Sequence, residues 1–227
     1  MFSDKKIGIS LMFITGMLII LLCKCNKEDD STIRDTDGNI YTSVKIGTQV
    51  WMIENLQTTK LNNNTNVTLM TENWSDESMS TPGYCWNEND ESKNKTLYGA
   101  LYNWHAVNTG KLCPIGWHVP TYDDWTTLIT YLGGKTNAGG KLKETGYSLW
   151  QIPNEGATNE SGFTGRPGGF YYGSGSFDQP GIEAYYWSST ESGPGNAYIL
   201  KLSSDDKDAI IGSMDKEKGC SVRCIKE

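Results

Sequence analysis

The stretch KLCPIGWHVPTYDDW, residues 111–125, decides the fold, and we call it the hub. It combines a cysteine, two prolines, two tryptophans and a helix start. Thr121 is a favourable N-cap, and Asp124 stands three residues on, at the spacing of a capping box with Asp in place of Glu. Apolar residues follow at three- and four-residue spacing, and the glycine pair at 133–134 is a stop signal. The sequence therefore predicts a helix over residues 121–132.

The composition indicates a domain with many aromatic residues and glycines. The 227 residues include 8 tryptophans, 12 tyrosines and 25 glycines, and only 21% are charged. A formal charge of −7 offers no basic surface for phosphate groups, which argues against a nucleic-acid partner. The length fits one domain that follows a targeting segment. We expect an aromatic core that is tied together by long loops.

The first 25 residues have the pattern of an export signal. Two lysines precede a nearly continuous apolar run over residues 7–22, and cysteines stand at positions 23 and 25. This pattern indicates a secretory signal over residues 1–25, with an uncleaved membrane anchor as the alternative. The run resembles a bacterial lipoprotein signal, in which Cys23 or Cys25 is lipidated after cleavage. Neither cysteine follows a small residue, so the choice between them stays open.

A polar segment over residues 26–37 is predicted to be a tether that precedes a folded domain at 38–227. Within it, the tetrapeptide KEDD at 27–30 resembles the export signal of surface-exposed lipoproteins in Bacteroidetes. The resemblance implies a protein that a lipid holds in the outer membrane and that faces the cell exterior. A solvated tether without a signalling role is the alternative.

The folded domain retains four cysteines, which are Cys85, Cys113, Cys220 and Cys224. An exported protein reaches a compartment that permits disulfides, and four cysteines allow three pairings. Residues 219–225 are predicted to form a strand, in which Cys220 and Cys224 would lie about 13 Å apart. Bridged Cα atoms lie within about 7 Å, so this pair is excluded. We favour a Cys113–Cys224 disulfide, which would link the hub to the last strand.

The remaining pattern predicts short strands and one further helix. Apolar residues fall on one face of residues 97–107, which predicts a second helix. Residues 133–140 are rich in glycine and are predicted to be a loop. Strands or hairpins are predicted over the segments 39–44 with 48–53, 84–86, 170–172 with 176–177, 184–190, 197–202, 209–211 and 219–225.

Two acidic loops are candidate cation sites. Glu88 and Asp90 lie in one, and Asp205 and Asp206 lie in the other, where carboxylate oxygens would suit a structural calcium ion. A solvated loop is the stronger interpretation of each, and no other cofactor is predicted. The run at 35–39 begins like a calcium loop but lacks the bidentate acid of an EF-hand, so it is predicted to be a turn.

Five sequence blocks occur in the order of a known family. They are WMIENL at 51–56, YGALYNW at 98–104, LCPIGWHVPT at 112–121, WSSTE at 187–191 and SVRC at 221–224. These blocks resemble the Fibrobacter succinogenes major paralogous domain family of exported bacterial proteins, over about residues 35–226. The chain departs from that family at Cys220, where an aromatic residue is usual. The resemblance therefore gives no support to a Cys85–Cys220 bridge.

That family in turn resembles the C-type-lectin-like fold of the formylglycine-generating enzymes. The likeness is carried by the helix start at 120–125, by Arg-Pro-Gly-Gly at 166–169 and by the closing Arg223-Cys224. It implies an α+β fold in which two helices pack on small antiparallel sheets with long loops. The catalytic cysteine motif of those enzymes is absent, so their active site does not carry over.

Three functional hypotheses follow. The first is a non-catalytic surface module that binds glycan or protein, because aromatic faces stack on sugars. Its candidate contact residues are Trp150, Tyr171, Tyr172, Tyr185 and Tyr186. The second is a formylglycine-generating (sulfatase-modifying) oxidase that uses copper and a cysteine pair, and the third is a structural envelope protein. We favour the first, with a core position as the alternative role of each aromatic candidate.

Overall fold

The computed structural model describes residues 32–72 and 80–227. These residues form a mixed α+β fold in which strands predominate over four helices. The predicted signal segment, both lipidation candidates and the first part of the predicted tether lie outside the described residues. Among the described residues, no helix has the length and apolar character needed to cross a membrane.

Most elements of the described chain are short. The helices are α1 (Glu91–Tyr98), α2 (Trp104–Val107), α3 (Tyr122–Tyr131) and α4 (Lys135–Leu142). The strands are β1 (Ile33–Arg34), β2 (Ile40–Tyr41), β3 (Ser43–Ile46), β4 (Gln49–Met52), β5 (Thr68–Leu69), β6 (Gly83–Trp86), β7 (Ala100–Tyr102), β8 (Trp117–His118), β9 (Phe170–Tyr171), β10 (Phe177–Asp178), β11 (Glu183–Gly193), β12 (Asn196–Ser203), β13 (Ile210–Asp215), β14 (Cys220–Ser221) and β15 (Ile225–Lys226).

Two sheets carry the fold. The larger has seven strands in the order β13-β12-β11-β14-β7-β6-β5, and the smaller has four in the order β3-β4-β15-β8. The larger sheet is mixed, because β14 runs parallel to β11 and β5 runs parallel to β6. The expectation of two helices is wrong, and the expectation of small antiparallel sheets holds for the smaller sheet but not for the larger one. The predicted hairpins β3-β4 and β9-β10 and the predicted strands at β11, β12 and β13 are confirmed.

The hub joins both sheets. Its strand β8 pairs with β15 in the smaller sheet, and the Ser189 amide of β11 donates to the Pro120 carbonyl oxygen at 2.8 Å. The predicted capping box at Thr121 is confirmed and begins α3. The predicted disulfide between Cys113 and Cys224 is also confirmed, with 6.1 Å between the Cα atoms. The hub is therefore fixed to the C-terminal segment by a covalent bond and by strand pairing.

The single helix predicted over residues 97–107 is wrong. Two helices, α1 and α2, are separated there by the buried strand β7. Gly99 ends α1 with a φ of +71°, and a Cβ at this position would lie 2.7 Å from the Leu56 carbonyl oxygen. Asn103 then starts α2, where its side-chain oxygen accepts from the Ala106 amide at 3.0 Å. The close approach at Gly99 breaks a helix that the apolar spacing alone predicts.

The loop predicted over residues 133–140 is wrong as well, because α4 occupies most of it. Gly139 and Gly140 lie inside this helix, despite the low helix propensity of glycine. A Cβ at these positions would lie 2.1 Å from the Asp208 carbonyl oxygen and 2.2 Å from that of Gly156. The glycines therefore serve close packing of α4 against two loops, which outweighs their propensity.

Two predicted boundaries also differ from the structure. The tether was expected to extend to residue 37, but β1 pairs with β2, and Asp35 is buried with its carboxylate against the Tyr41 hydroxyl. The folded part therefore begins before residue 38. The last strand, expected over 219–225, is divided into β14 and β15, which belong to different sheets. The chain crosses between the sheets at this point, which a continuous apolar alternation does not reveal.

Candidate functional site

Four of the five aromatic residues predicted to contact a ligand are core residues. Trp150, Tyr171 and Tyr186 are at most 1% exposed, and Tyr185 is 8% exposed. Alternate side chains of β11 enter different core clusters, so Tyr185 packs in one and Tyr186 in another. This burial contradicts the predicted contact roles of these four residues, because a ligand would have to displace the core.

Tyr172 is the exception, since 41% of its surface is exposed. Its ring centroid lies 4.7 Å from that of Phe170 and 3.9 Å from the ammonium nitrogen of Lys218. Its hydroxyl donates to Asp178 Oδ2 at 3.1 Å. Tyr172 is thus the one residue of the predicted five that a ligand can reach, and its ring already carries a cation–π contact.

The acidic residues predicted as cation ligands are engaged by protein donors. Glu88 pairs with Lys93 at 2.9 Å, and Asp90 accepts the Lys93 amide as the N-cap of α1. Asp205 and Asp206 each accept a hydrogen bond from a neighbouring residue. In the part of the chain that the structure describes, no group of three or more His, Cys, Asp or Glu side chains is arranged to hold a metal ion. We therefore assign no calcium ion to either loop.

Among the described residues, the two cysteines outside the disulfide are buried on opposite faces of the larger sheet. Cys85 is in register with Leu101 of β7, and Cys220 is in register with Tyr102. Because neighbouring strand residues point to opposite faces, the sheet separates the two thiols. Burial raises the pKa of both thiols, which disfavours the thiolate that an oxidase needs. This arrangement gives no support to the oxidase hypothesis.

A polar groove beside α4, which we call the α4 groove, is a candidate binding site. Its volume is about 330 Å³, at the lower end of the range of about 300–1,000 Å³ for small-molecule sites. Its lining offers amide, hydroxyl, ammonium and carboxylate groups beside a leucine. The lining residues are Leu132, Gly133, Asn137, Lys141, Gly156, Thr158, Glu160 and Lys207.

Main-chain hydrogen bonds fix α4 to the two loops that form the other walls of the groove. The Thr158 amide donates to the Gly140 carbonyl oxygen at 2.8 Å, and the Gly140 amide donates to that of Lys207 at 3.0 Å. These bonds require the close approach that the α4 glycines allow. The groove is therefore formed before any ligand arrives.

The charged side chains of the groove remain accessible. Lys141 pairs with Glu160 at 3.5 Å, and 33% and 65% of these two side chains are exposed. An ion pair with this exposure contributes little to stability. Lys207 is exposed as well. All three groups can therefore exchange water for the hydroxyl or acidic groups of a ligand.

A buried lysine lies behind the groove. Lys143 is 0% exposed, and its ammonium donates to the carbonyl oxygens of Glu155 at 2.8 Å, Ser203 at 2.6 Å and Asp206 at 2.7 Å. The ammonium nitrogen also lies 5.5 Å from the ring centroid of Trp150. Burial lowers the pKa of Lys143 to about 8, against the opposing charge of nearby carboxylates, so the ammonium persists at neutral pH. It ties both loop walls to the end of α4.

A second buried cation is Arg223, which lies in the short segment between β14 and β15. Its Nε and Nη2 donate to Asn55 Oδ1, and its Nη1 donates to the carbonyl oxygens of Met52 and Phe163. Burial lowers the pKa of Arg223 to about 10, which leaves it charged at neutral pH. The cavity that Arg223 lines holds about 60 Å³, far below the size of a small-molecule site. We therefore assign it a structural role.

The sequence pattern did not predict the α4 groove, because the glycines over residues 133–140 indicate a loop rather than a helix. A helical signal was present, since Ala138 and Leu142 stand four residues apart and are both buried. Lys143 gave no local signal, because its three acceptors lie 12, 60 and 63 residues away in the chain. Lysines are rarely buried, so its position could not be inferred from its residue type.

Comparison with known proteins gave one family. A family model described as the Fibrobacter succinogenes major domain matches residues 44–226, more than half of the 227-residue chain. The matched segment contains the hub, both sheets' central strands and the α4 groove. No match was found among curated proteins or among solved structures.

Proposed function

This chain belongs to the Fibrobacter succinogenes major domain family, and we propose that it acts as a non-catalytic module that binds a glycan in its α4 groove. The proposal replaces the buried aromatic residues of the sequence-based hypothesis with a polar, preformed surface. It keeps the predicted class of function, which is recognition outside the cell.

The α4 groove is the observation that carries this proposal. Sugars present many hydroxyl groups, which pair with amide, hydroxyl, ammonium and carboxylate groups, and the groove offers all four. Asn137 and Thr158 supply neutral donors and acceptors, while Lys141 and Glu160 supply charged ones. The volume of about 330 Å³ suits one or two sugar units rather than a peptide helix.

We also propose the setting in which the module works. The apolar run before Cys23 and Cys25 and the acidic KEDD segment support a lipid anchor in the outer membrane and a position on the cell surface. One acyl chain gives weak membrane binding, so stable anchoring would need the several chains of a lipoprotein. The α+β arrangement, with α3 beginning after Pro120-Thr121, supports a C-type-lectin-like frame.

A glycan array tests the function directly. We expect the wild-type protein to bind a restricted set of glycans and an Asn137→Ala/Thr158→Ala variant to lose at least ten-fold in affinity. The matched control is Asn196→Ala/Thr127→Ala, which makes the same changes at exposed positions outside the groove. An array without any bound glycan would contradict the proposal and favour a structural envelope role. Equal loss in the control variant would show that the groove is not the site.

A further inference from the structure

The three oxygens around the Lys143 ammonium form a cradle of the kind that binds cations. They belong to Glu155, Ser203 and Asp206, in segments that meet only in the folded protein. All three are main-chain carbonyl oxygens, so the cradle owes its affinity for positive charge to backbone dipoles. The ring of Trp150 closes one side at 5.5 Å, within cation–π range.

We propose that this cradle is a cation-binding site, that the Lys143 ammonium is its built-in occupant, and that potassium or ammonium ions bind there when this side chain is removed. The proposal does not depend on the function of the α4 groove. It explains why a lysine is buried without an ion pair among the described residues. The ammonium takes the place of a bound ion, so the fold does not depend on the ions in its surroundings.

Distances and charge select the class of cation. Calcium takes six to eight oxygen ligands, usually including carboxylates, whereas the cradle presents three main-chain carbonyl oxygens. This small set of neutral ligands suits a monovalent cation better than calcium. The charged groups that act on the ammonium are the carboxylates of Asp206, Glu155 and Asp205, which all favour a positive occupant.

The cradle also connects to the walls of the α4 groove. Glu155 precedes Gly156, and Asp206 precedes Lys207, and both of these neighbours line the groove. The Glu155 amide donates in turn to the Ser204 carbonyl oxygen at 2.7 Å. An empty cradle would therefore release two walls of the groove at once, and a rebound cation would restore them.

Thermal unfolding of Lys143→Ala in different chloride salts tests the proposal. At matched ionic strength, we expect the unfolding midpoint of this variant to rise saturably with potassium or ammonium and to stay low in choline chloride. The wild type and Lys141→Ala, which removes a partly exposed lysine of α4 two residues before Lys143, should each show the same midpoint in all these salts. Equal midpoints of Lys143→Ala in potassium, ammonium and choline would overturn the proposal. A greater rise with calcium would overturn the assignment to a monovalent cation.

Two further measurements apply if Lys143→Ala does not fold. Lys143→Gln leaves a smaller cavity and keeps a donor for the cradle, and we expect it to show the same order of salts. In the folded wild-type protein, reductive methylation followed by peptide mass spectrometry should modify Lys141 and Lys207 and leave Lys143 unmodified. Methylation of Lys143 as fast as that of Lys141 would show that the ammonium does not occupy the cradle.

Discussion

Arg223 and Lys143 both carry a positive charge that is buried away from water, in two different regions of the molecule. Each is a fully buried cation without an ion pair among the described residues, and each is held mainly by carbonyl oxygens. Buried charges are costly unless hydrogen bonds replace their water shell. Both sites meet this requirement with neutral acceptors, which avoids the desolvation of a second, negative charge.

The two cations differ in what they connect. Arg223 donates to Asn55 and Met52, which lie 168 and 171 residues away, so it joins the two ends of the folded chain. Lys143 donates to acceptors that lie 12 to 63 residues away in the loops of the α4 groove. The comparison indicates that Arg223 stabilises the packing of the two chain ends, which we call the frame. Lys143 instead shapes the proposed binding surface. Predictions that separate these two roles follow, from the largest expected effect to the smallest.

Arg223→Met should produce the largest loss. It leaves Asn55 Oδ1 and the carbonyl oxygens of Met52 and Phe163 without their donor in the core. We expect a loss of about 3–5 kcal/mol in the free energy of unfolding, measured by urea denaturation. The control is Arg166→Met, whose side chain is 30% exposed and pairs with Glu144, with an expected loss of about 1 kcal/mol. Equal losses in the two variants would refute a special role of Arg223 in the frame.

Removal of the disulfide should rank second and act on the frame. The Cys113→Ser/Cys224→Ser variant opens a loop of 111 residues, and we expect a loss of about 2–4 kcal/mol in urea denaturation. Affinity for any glycan found on the array should stay unchanged, because neither cysteine lines the α4 groove. Cys85→Ala controls for the loss of a buried sulfur. A parallel loss of affinity would show that frame and groove are not separable.

Lys143→Met should rank third and act on the groove. The carbonyl oxygens of Glu155, Ser203 and Asp206 lose their donor, and we expect a loss of about 2–3 kcal/mol. Hydrogen–deuterium exchange should quicken in the peptides over 154–160 and 203–208 and stay unchanged in the hub. Arg223→Met should give faster exchange throughout the fold. If exchange became faster in all peptides of Lys143→Met, the two cations would not act on different parts of the molecule.

Asp124→Asn should have the smallest effect, and its effect depends on pH. Burial alone would raise the pKa of Asp124, but hydrogen bonds from Thr121 and His118 outweigh it and lower the pKa. The carboxylate therefore stabilises the fold above its unfolded pKa of about 3.9, and this contribution is lost as pH falls through the folded pKa. We expect the variant to lose about 1 kcal/mol at pH 7 and to equal the wild type at the acid end. A loss that persists unchanged in acid would contradict this role of the carboxylate.

Sequence patterns gave the frame more completely than the groove, for physical reasons. The capping box at Thr121 is a local signal, so α3 was predictable. Cysteine spacing excluded only one of three pairings, on the premise of a continuous last strand that the structure divides, so the favoured Cys113–Cys224 disulfide did not follow from spacing alone. Gly139 and Gly140 depend on distant loops, and their helix could not be inferred from propensity. The aromatic residues of β11 were misassigned because both faces of its sheet are covered, which strand periodicity cannot distinguish from one exposed face.

The most direct test of the α4 groove as the binding surface is an amide chemical-shift titration of the isotopically labelled protein. The titrant is a pool of neutral and acidic oligosaccharides. We predict concentration-dependent shifts at Gly133, Thr158 and Lys207 and unchanged resonances around Tyr172. Shifts confined to the surroundings of Tyr172, or no shifts at any residue, would contradict the assignment of the groove.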